Sequence, residues 1–428
     1  MFRFVLLVPF LAAALAMPAR AATAPARLTA LESSAGVFNV LYHYADIRPG
    51  PGGAYGANIG SPRVWYIEEQ RAGSVDVIAG VLRQDPSLIR QGLEMFHWGL
   101  ARETANGAFP RSAWPFHSVM LFLSEATPAL LILKQSQYAR EFHSELVWET
   151  ARIDRAAWHA EKIVGRGKVD DPTKNHRFFE AALGLMGAGR LARDRRLVSR
   201  SRLYARRGIR MSRPNGIMPE DGGHDSGYQA VGLNDAIRFL TLDSNAALDR
   251  SLRAAISRAE RWELSRVRGN GTINQTGDTR TNGCEERSPD GACKTTFYAP
   301  IFAALARWAA LSGDQTYQLA AYHVWLQNWA HMPGDVLPTP GLFASTRTVQ
   351  PGQTLTVWGT RFQPLEVVQV FFGGKLVATA TCDQIGSFGG RSATPNAKFV
   401  VPPTAGGTVV VRAVGDNGTR RRIDVTIQ

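Results

Sequence analysis

The segment Pro86–Glu103, PSLIRQGLEMFHWGLARE, decides how this 428-residue chain is read. Ile89, Leu93, Phe96 and Leu100 fall at i, i+4, i+7 and i+11, one face of a helix. The pattern returns in 295–311, TTFYAPIFAALARWAAL, where Phe297, Ile301, Leu305 and Trp308 again share one face. Further helical candidates cover roughly 29–46, 73–85, 116–135, 137–163, 175–194, 199–210, 226–242 and 246–268. Clusters rich in Gly, Pro and Asn separate them, among them 48–60 (RPGPGGAYGANIG), 213–223 (RPNGIMPEDGG) and 269–283 (GNGTINQTGDTRTNG). Alternating β segments are nearly absent before residue 332. About ten helices joined by loops, with no repeat of fixed period, predict helical hairpins in a bundle or toroid rather than a consensus solenoid.

The character changes at Pro338-Thr339-Pro340-Gly341. Beyond it come short β-like runs, including Leu355–Trp358, Val367–Phe372, Val377–Ala380, Val409–Val414 and Ile423–Ile427. Glycine pairs such as Gly373-Gly374 and Gly406-Gly407 punctuate them. The expected organisation is a helical catalytic domain over 22–337, a linker over 338–342 and a β-sandwich of six or seven strands over 343–428. Arg420-Arg421-Arg422 reads as a charged strand edge that resists aggregation.

Residues 1–21 read as a signal peptide. Arg3 opens it, Phe4–Met17 is an apolar run of h-region length, and Ala19-Arg20-Ala21 is a small-x-small cleavage site. The run is too short for a membrane span, so the expected location is secreted or periplasmic. Net charge is +13, and loss of Arg3 and Arg20 would leave +11. A basic exported protein fits an acidic polysaccharide as partner; nucleic acid fits the charge but not the export signal. Three cysteines are present. Cys284 and Cys293 flank a polar loop and favour a disulfide over a metal site, since no CxxC or nearby His accompanies them. Cys382 is left as a free thiol. No metal or cofactor is expected.

Two segments carry candidate chemistry: Asn175-His176 in DPTKNHRFFE and Tyr228 in PEDGGHDSGYQ. Eliminative cleavage of a uronate needs a donor or cation on the carboxylate, a base for the C5 proton, and an acid for the leaving O4. Asn175 offers an amide. His176, neutral near pH 7, can be the base. Tyr228 can be the acid, or base and acid in turn if it first becomes a tyrosinate. Both segments lie at helix starts, where backbone N–H groups favour an anion.

At these residues the sequence resembles the alginate lyase and chondroitin lyase group, whose catalytic domain is an α/α toroid. Its members carry an Asn-His pair on one helix and a Tyr about fifty residues later, after a loop with Pro-Glu; here these are Asn175-His176, Pro219-Glu220 and Tyr228. The resemblance implies that Asn175 neutralises the uronate, His176 acts as base or base-assistant, and Tyr228 donates the proton. The alginate-specific Arg before the Tyr is replaced by 222–227, GGHDSG. The carboxylate-binding cation is therefore sought in His224 or Arg280. Glu220, Trp114 and His117 complete the candidate substrate-binding set, the aromatic faces suiting a sugar ring. The C-terminal phrase 349–374, VQPGQTLTVWGTRFQPLEVVQVFFGG, resembles immunoglobulin-like modules of the IPT/TIG type.

Each residue also has a plainer role. His176 suits a hydrogen-bonded helix terminus, Tyr228 and Trp114 suit a core, and His224-Asp225 suits a pair that holds the glycine loop. Two rival functions follow. A glycoside hydrolase on the same scaffold would draw paired carboxyls from Asp171, Glu220, Asp221 and Asp225. A non-catalytic glycan-binding envelope protein would bind polyanions and create no chain ends.

Overall fold

A computed structural model describes residues 23–43, 45–60, 62–282, 293–330, 340–363, 366–383, 386–390, 394–403, 406–416 and 418–428. The segment expected as a signal peptide, Cys284 and residues 331–339 lie outside them. The described helices are α1 (Ala24–Glu32), α2 (Ala35–Leu41), α3 (Gly73–Arg83), α4 (Pro86–Leu100), α5 (His117–Gln135), α6 (His143–Val164), α7 (His176–Ala192), α8 (Arg195–Met211), α9 (Ser226–Leu242), α10 (Ala246–Arg266), α11 (Tyr298–Ser312) and α12 (Gln315–Ala330).

Odd-numbered helices α3, α5, α7, α9 and α11 pack side by side in chain order as an inner layer. Each is backed by the helix that follows it, so α4, α6, α8, α10 and α12 form an outer layer. This is an incomplete α/α toroid of helical hairpins. Side-chain choice follows from the layers. An inner helix is covered on nearly every side, and α7 (HRFFEAALGLMGAGRLA) is accordingly small or apolar along most of its length. An outer helix buries one stripe. In α8 that stripe is Leu197, Ser201, Tyr204, Ala205 and Gly208, and arginines occupy much of the rest. Gly187 shows how tight the inner layer is: a Cβ there would stand 1.8 Å from Thr127 Oγ1 on α5. Helix α1 packs against α5, α9 and α11.

The stripe predicted on α4 is buried, with Ile89, Leu93, Phe96 and Leu100 at most 4% exposed. The candidate at 29–46 is instead two short helices parted near Ser33 and Ser34. Helix α12 is an addition to the sequence-based set. Its buried residues Tyr317, Ala320, Ala321, Val324 and Trp325 fall at i, i+3, i+4, i+7 and i+8 on one face, but Leu319, 46% exposed, adds an apolar residue off that face. No described helix is long and apolar enough to cross a membrane.

The strands are β1 (Gly341–Ala344), β2 (Thr348–Val349), β3 (Thr354–Thr360), β4 (Val367–Phe372), β5 (Lys375–Thr381), β6 (Ala397–Val400), β7 (Gly407–Gly415) and β8 (Arg420–Ile427). They form two sheets, ordered β1-β3-β6 and β2-β8-β7-β4-β5, antiparallel except for the β2–β8 pair. A separate core of Leu355, Val357, Val368, Val370, Val411 and Val425, among others, lies between them. The first strand begins inside the segment expected as linker, because Leu342 is buried and pairs with Gly359. Strand β2 covers only Thr426 and Ile427 of β8, so Arg420–Arg422 lie where that edge is uncovered. The sandwich meets the toroid at α12: a Cβ on Gly386 would lie 2.6 Å from Tyr322 Oη.

Candidate active site

A cavity of about 1540 Å³ opens among the inner helices. His117, His176, Glu180, Tyr228, Arg280 and Lys294 line one side of it, with Tyr55, Tyr66 and Trp114 near them and Arg238 and Arg307 also in its lining.

His176 is the first residue of α7. Its backbone N–H donates to Glu220 Oε1 at 3.1 Å, and its ring Nδ1 lies 2.7 Å from the same oxygen. A carboxylate at a helix N-terminus satisfies an orphan donor and complements the dipole. Here it also fixes the imidazole orientation. Gly232 on α9 completes the placement, since a Cβ there would come within 3.0 Å of His176 Cα.

Tyr228 lies in the first turn of α9. Asp225 caps that helix by accepting the Tyr228 N–H at 3.1 Å. The other Asp225 oxygen accepts from Arg280 N at 3.0 Å, Thr281 N at 2.9 Å and Thr281 Oγ1 at 2.9 Å. One carboxylate therefore binds the 275–281 loop to the start of α9. The consequence is that the Arg280 guanidinium carbon sits 3.3 Å from the Tyr228 ring centroid, with Nη1 3.4 Å from Glu220 Oε2. Lys294 Nζ donates to the Tyr228 hydroxyl at 2.9 Å. The His176 and Tyr228 ring centroids are 5.1 Å apart.

Glu180 follows His176 by one helical turn. Its Oε1 is 3.6 Å from His176 Nε2, and its Oε2 is 3.1 Å from His117 Nδ1 on α5. Burial pushes the His176 imidazolium well below the usual range, so the ring is neutral near pH 7. Burial also opposes ionisation of Glu180, but His117, His176 and Arg177 outweigh it and hold the acid at about 2. Glu220 is pushed up by burial to about 8, against the pull of the His176 N–H and Arg280. The His176–Glu220 contact is thus one in which burial drives both partners toward their neutral forms.

Beneath these groups lies a saturated cluster. Arg307 Nη2 donates to Glu32 Oε2 at 3.0 Å and Arg238 Nε to Glu32 Oε1 at 2.8 Å. Tyr42 donates to Glu32 at 2.7 Å, and Arg238 Nη1 also reaches Glu125 at 2.6 Å. Burial would raise Glu32, but Arg307 and Arg238 hold it at about 2. Glu32 belongs to α1, so this cluster fastens α1 to α9 and α11.

Of the residues singled out in the sequence, His176, Tyr228, Arg280, His117 and Trp114 all line the cavity. Trp114 is 49% exposed and has a φ of +44°, a left-handed conformation that a bulky residue seldom adopts. Glu220 stands behind His176. Asn175 is fully buried and does not line the cavity; its amide donates to the Gly208 carbonyl of α8 at 3.0 Å. His224 also lies outside the lining. It rests edge-on against Trp262, with Nε2 3.3 Å from the Thr276 carbonyl oxygen. Asp171, Asp221 and Asp225, offered for hydrolysis, do not line the cavity either. Cys293 is disulfide-bonded and Cys382 is a free, buried thiol.

Among the lining residues not singled out are Glu180 and Lys294, which touch His176 and Tyr228. Glu180 carried a usable signal, since an acid four residues after a helical histidine shares its face. Lys294 carried only its adjacency to Cys293.

No protein-family model matches the chain, and no curated protein matches it. Among solved structures, it is similar to a D-mannose isomerase at 12% identity and a TM-score of 0.43, over 72% of this chain and 86% of that one. It is also matched to the Pseudomonas fluorescens alkylpurine DNA glycosylase AlkC at 12% identity and a TM-score of 0.14, over 85% and 96%.

Proposed function

We propose that this chain is an exported lyase that cleaves a uronate-containing polysaccharide by β-elimination. The observation that carries the reading is Tyr228. Its hydroxyl meets Lys294 at 2.9 Å and its ring meets the Arg280 guanidinium at 3.3 Å, beside a buried histidine in an open cavity. Charge that develops on the phenol oxygen is therefore met by two cations in a partly desolvated site.

In the reaction, Tyr228 first loses its hydroxyl proton to solvent, the tyrosinate being stabilised by Lys294 and Arg280, and its Oη then takes the C5 proton. The electron pair left on C5 becomes the C4=C5 double bond as the C4–O4 bond breaks, and O4 leaves with a proton returned from Tyr228. Arg280 and Lys294 stabilise the sugar carboxylate as the enolate-like charge develops. His176, held by Glu220 on one nitrogen, presents the other ring edge to the cavity. Asn175 is not given the neutralising task, because its amide is engaged with Gly208. Trp114, half exposed at the cavity, offers a face to a sugar ring. The basic charge of the chain favours capture of a polyanion.

The test is a screen of acidic polysaccharides followed by ultraviolet absorbance. An unsaturated uronate product supports the reading. New reducing ends without that absorbance would assign hydrolysis instead, and binding without new chain ends would leave a glycan-binding protein.

A further inference from the structure

We propose that His117, His176 and Glu180 form a binding site for one divalent transition-metal ion of the zinc or cobalt type, with an open face on the cavity. The inference goes beyond the lyase reading and does not rest on it, since it concerns what the side chains bind whatever the substrate.

The donor set is the first argument. Two imidazole nitrogens and a carboxylate oxygen lie within 4.8 Å of one another. His117 Nδ1 is 3.1 Å from Glu180 Oε2, and His176 Nε2 is 3.6 Å from Glu180 Oε1. A metal about 2.0–2.1 Å from each ligand sets neighbouring ligand atoms about 3.0–3.5 Å apart, so small side-chain shifts suffice. Two nitrogens and one oxygen suit zinc or cobalt better than calcium or magnesium, which prefer all-oxygen shells.

Support behind the ligands is the second argument. Histidines that bind metals nearly always hold a carboxylate or carbonyl on the other ring nitrogen. His176 does so: Nδ1 is 2.7 Å from Glu220, which leaves Nε2 for the cluster. Rigidity is the third argument. His176 and Glu180 are one turn apart on α7, their side chains 1% exposed, and His117 begins α5, the neighbouring inner helix.

All three residues line the cavity. Three protein ligands with open positions facing a cleft is the arrangement of a reactive rather than a closed structural site. The open face lies toward Tyr228 and would accept an anionic oxygen, such as a sugar carboxylate.

The experiment uses the untagged full-length mature protein, stripped with a chelator and titrated with Co²⁺, read by its visible absorption and by metal analysis after dialysis. One equivalent of bound Co²⁺, displaced by Zn²⁺ and not by excess Mg²⁺ or Ca²⁺, is the expected result. His117→Ala, at a helix start in the cavity wall, should weaken binding at least about 10-fold. Glu220→Gln should weaken it about 10–100-fold through loss of support for His176. Circular dichroism establishes that each variant is folded. Absence of stoichiometric Co²⁺ in folded parent protein overturns the site, as does binding unchanged in both variants. Metal bound as expected without any unsaturated product sinks the lyase reading alone; elimination by metal-free protein that binds no Co²⁺ sinks this proposal alone.

Discussion

The floor of the cavity and the wall above it use the same chemical vocabulary to opposite ends. On the floor, Glu32 accepts from Arg307, Arg238 and Tyr42, and its charge is matched within hydrogen-bond distance. On the wall, Glu180 lies between two histidines, and Tyr228 lies between a lysine and an arginine, all bordering the cavity. Buried charges that satisfy one another hold α1 in place. The wall groups border the open cavity, and the proposed chemistry is assigned to them. The two regions differ in what their charges are tied to: on the floor to one another across α1, α9 and α11, on the wall to neighbours around His176 and Tyr228.

The largest effect should come from the wall. Tyr228→Phe removes one hydroxyl and should leave fold and polysaccharide binding intact, while turnover falls about 10³-fold or more, within the range for losing a general acid or base. Steady-state rates on whichever polysaccharide yields unsaturated product give the measurement. Full activity in the variant would remove Tyr228 from the chemistry and erase the functional half of the comparison.

On the floor the effect should fall on stability. Glu32→Ala leaves Arg238 and Arg307 buried with their common partner gone, and breaking such a buried pair costs about 3–5 kcal/mol. Denaturant unfolding should show the loss. Turnover per folded molecule should stay within a few-fold of the parent. A variant as stable as the parent would mean that the cluster does not secure α1.

How much of this was readable beforehand differs between the two regions. The helical stripe of Ile89, Leu93, Phe96 and Leu100 was legible because one-sided burial imposes a period. Helix α12 was not singled out, because apolar residues off its buried stripe, such as the exposed Leu319, blur the period. The pairing of His176 with Tyr228 was legible as a motif, and the two rings do lie 5.1 Å apart. The orientation of Asn175 was not, since only packing against Gly208 on α8 decides which way its amide points. Glu32 was invisible for a related reason: its partners lie 206 and 275 residues away, and no local pattern reports them.

A third class of buried acid sharpens the contrast. Glu260 and Glu263 on α10 are fully buried, and neither oxygen of either carboxyl has a hydrogen-bond partner among the described residues. Burial raises Glu260 from 4.5 to about 8, and Glu263 is pushed well up by burial and by Glu260. A raised folded-state value means that the folded chain holds its proton longer than the unfolded chain. The associated stability is fully present below 4.5 and is lost as pH rises to about 8. The slope is about 1.4 kcal/mol per pH unit for one such group. Glu260→Gln should abolish that share of the slope, so the variant gains on the parent as pH rises and matches it in acid. Equal pH dependence of parent and variant, by chemical denaturation across this range, would show that Glu260 ionises freely when folded.

The smallest expected effect concerns capture rather than chemistry. The chain carries a net +13, and Arg71, Arg177, Arg280 and Lys294 lie in the cavity lining. Exposed charges are screened over about 8–10 Å at moderate salt, whereas charges inside a desolvated wall are screened far less. If surface charge draws in a polyuronate, the Michaelis constant should rise with ionic strength while turnover changes little, because Tyr228, Lys294 and Arg280 act at contact distance. A Michaelis constant that stays flat from low to high salt would reduce the positive balance to a solvated surface. A fall in turnover with salt would instead place the Lys294–Tyr228 contact in water, and the wall would then lose the shielding that distinguishes it from the surface.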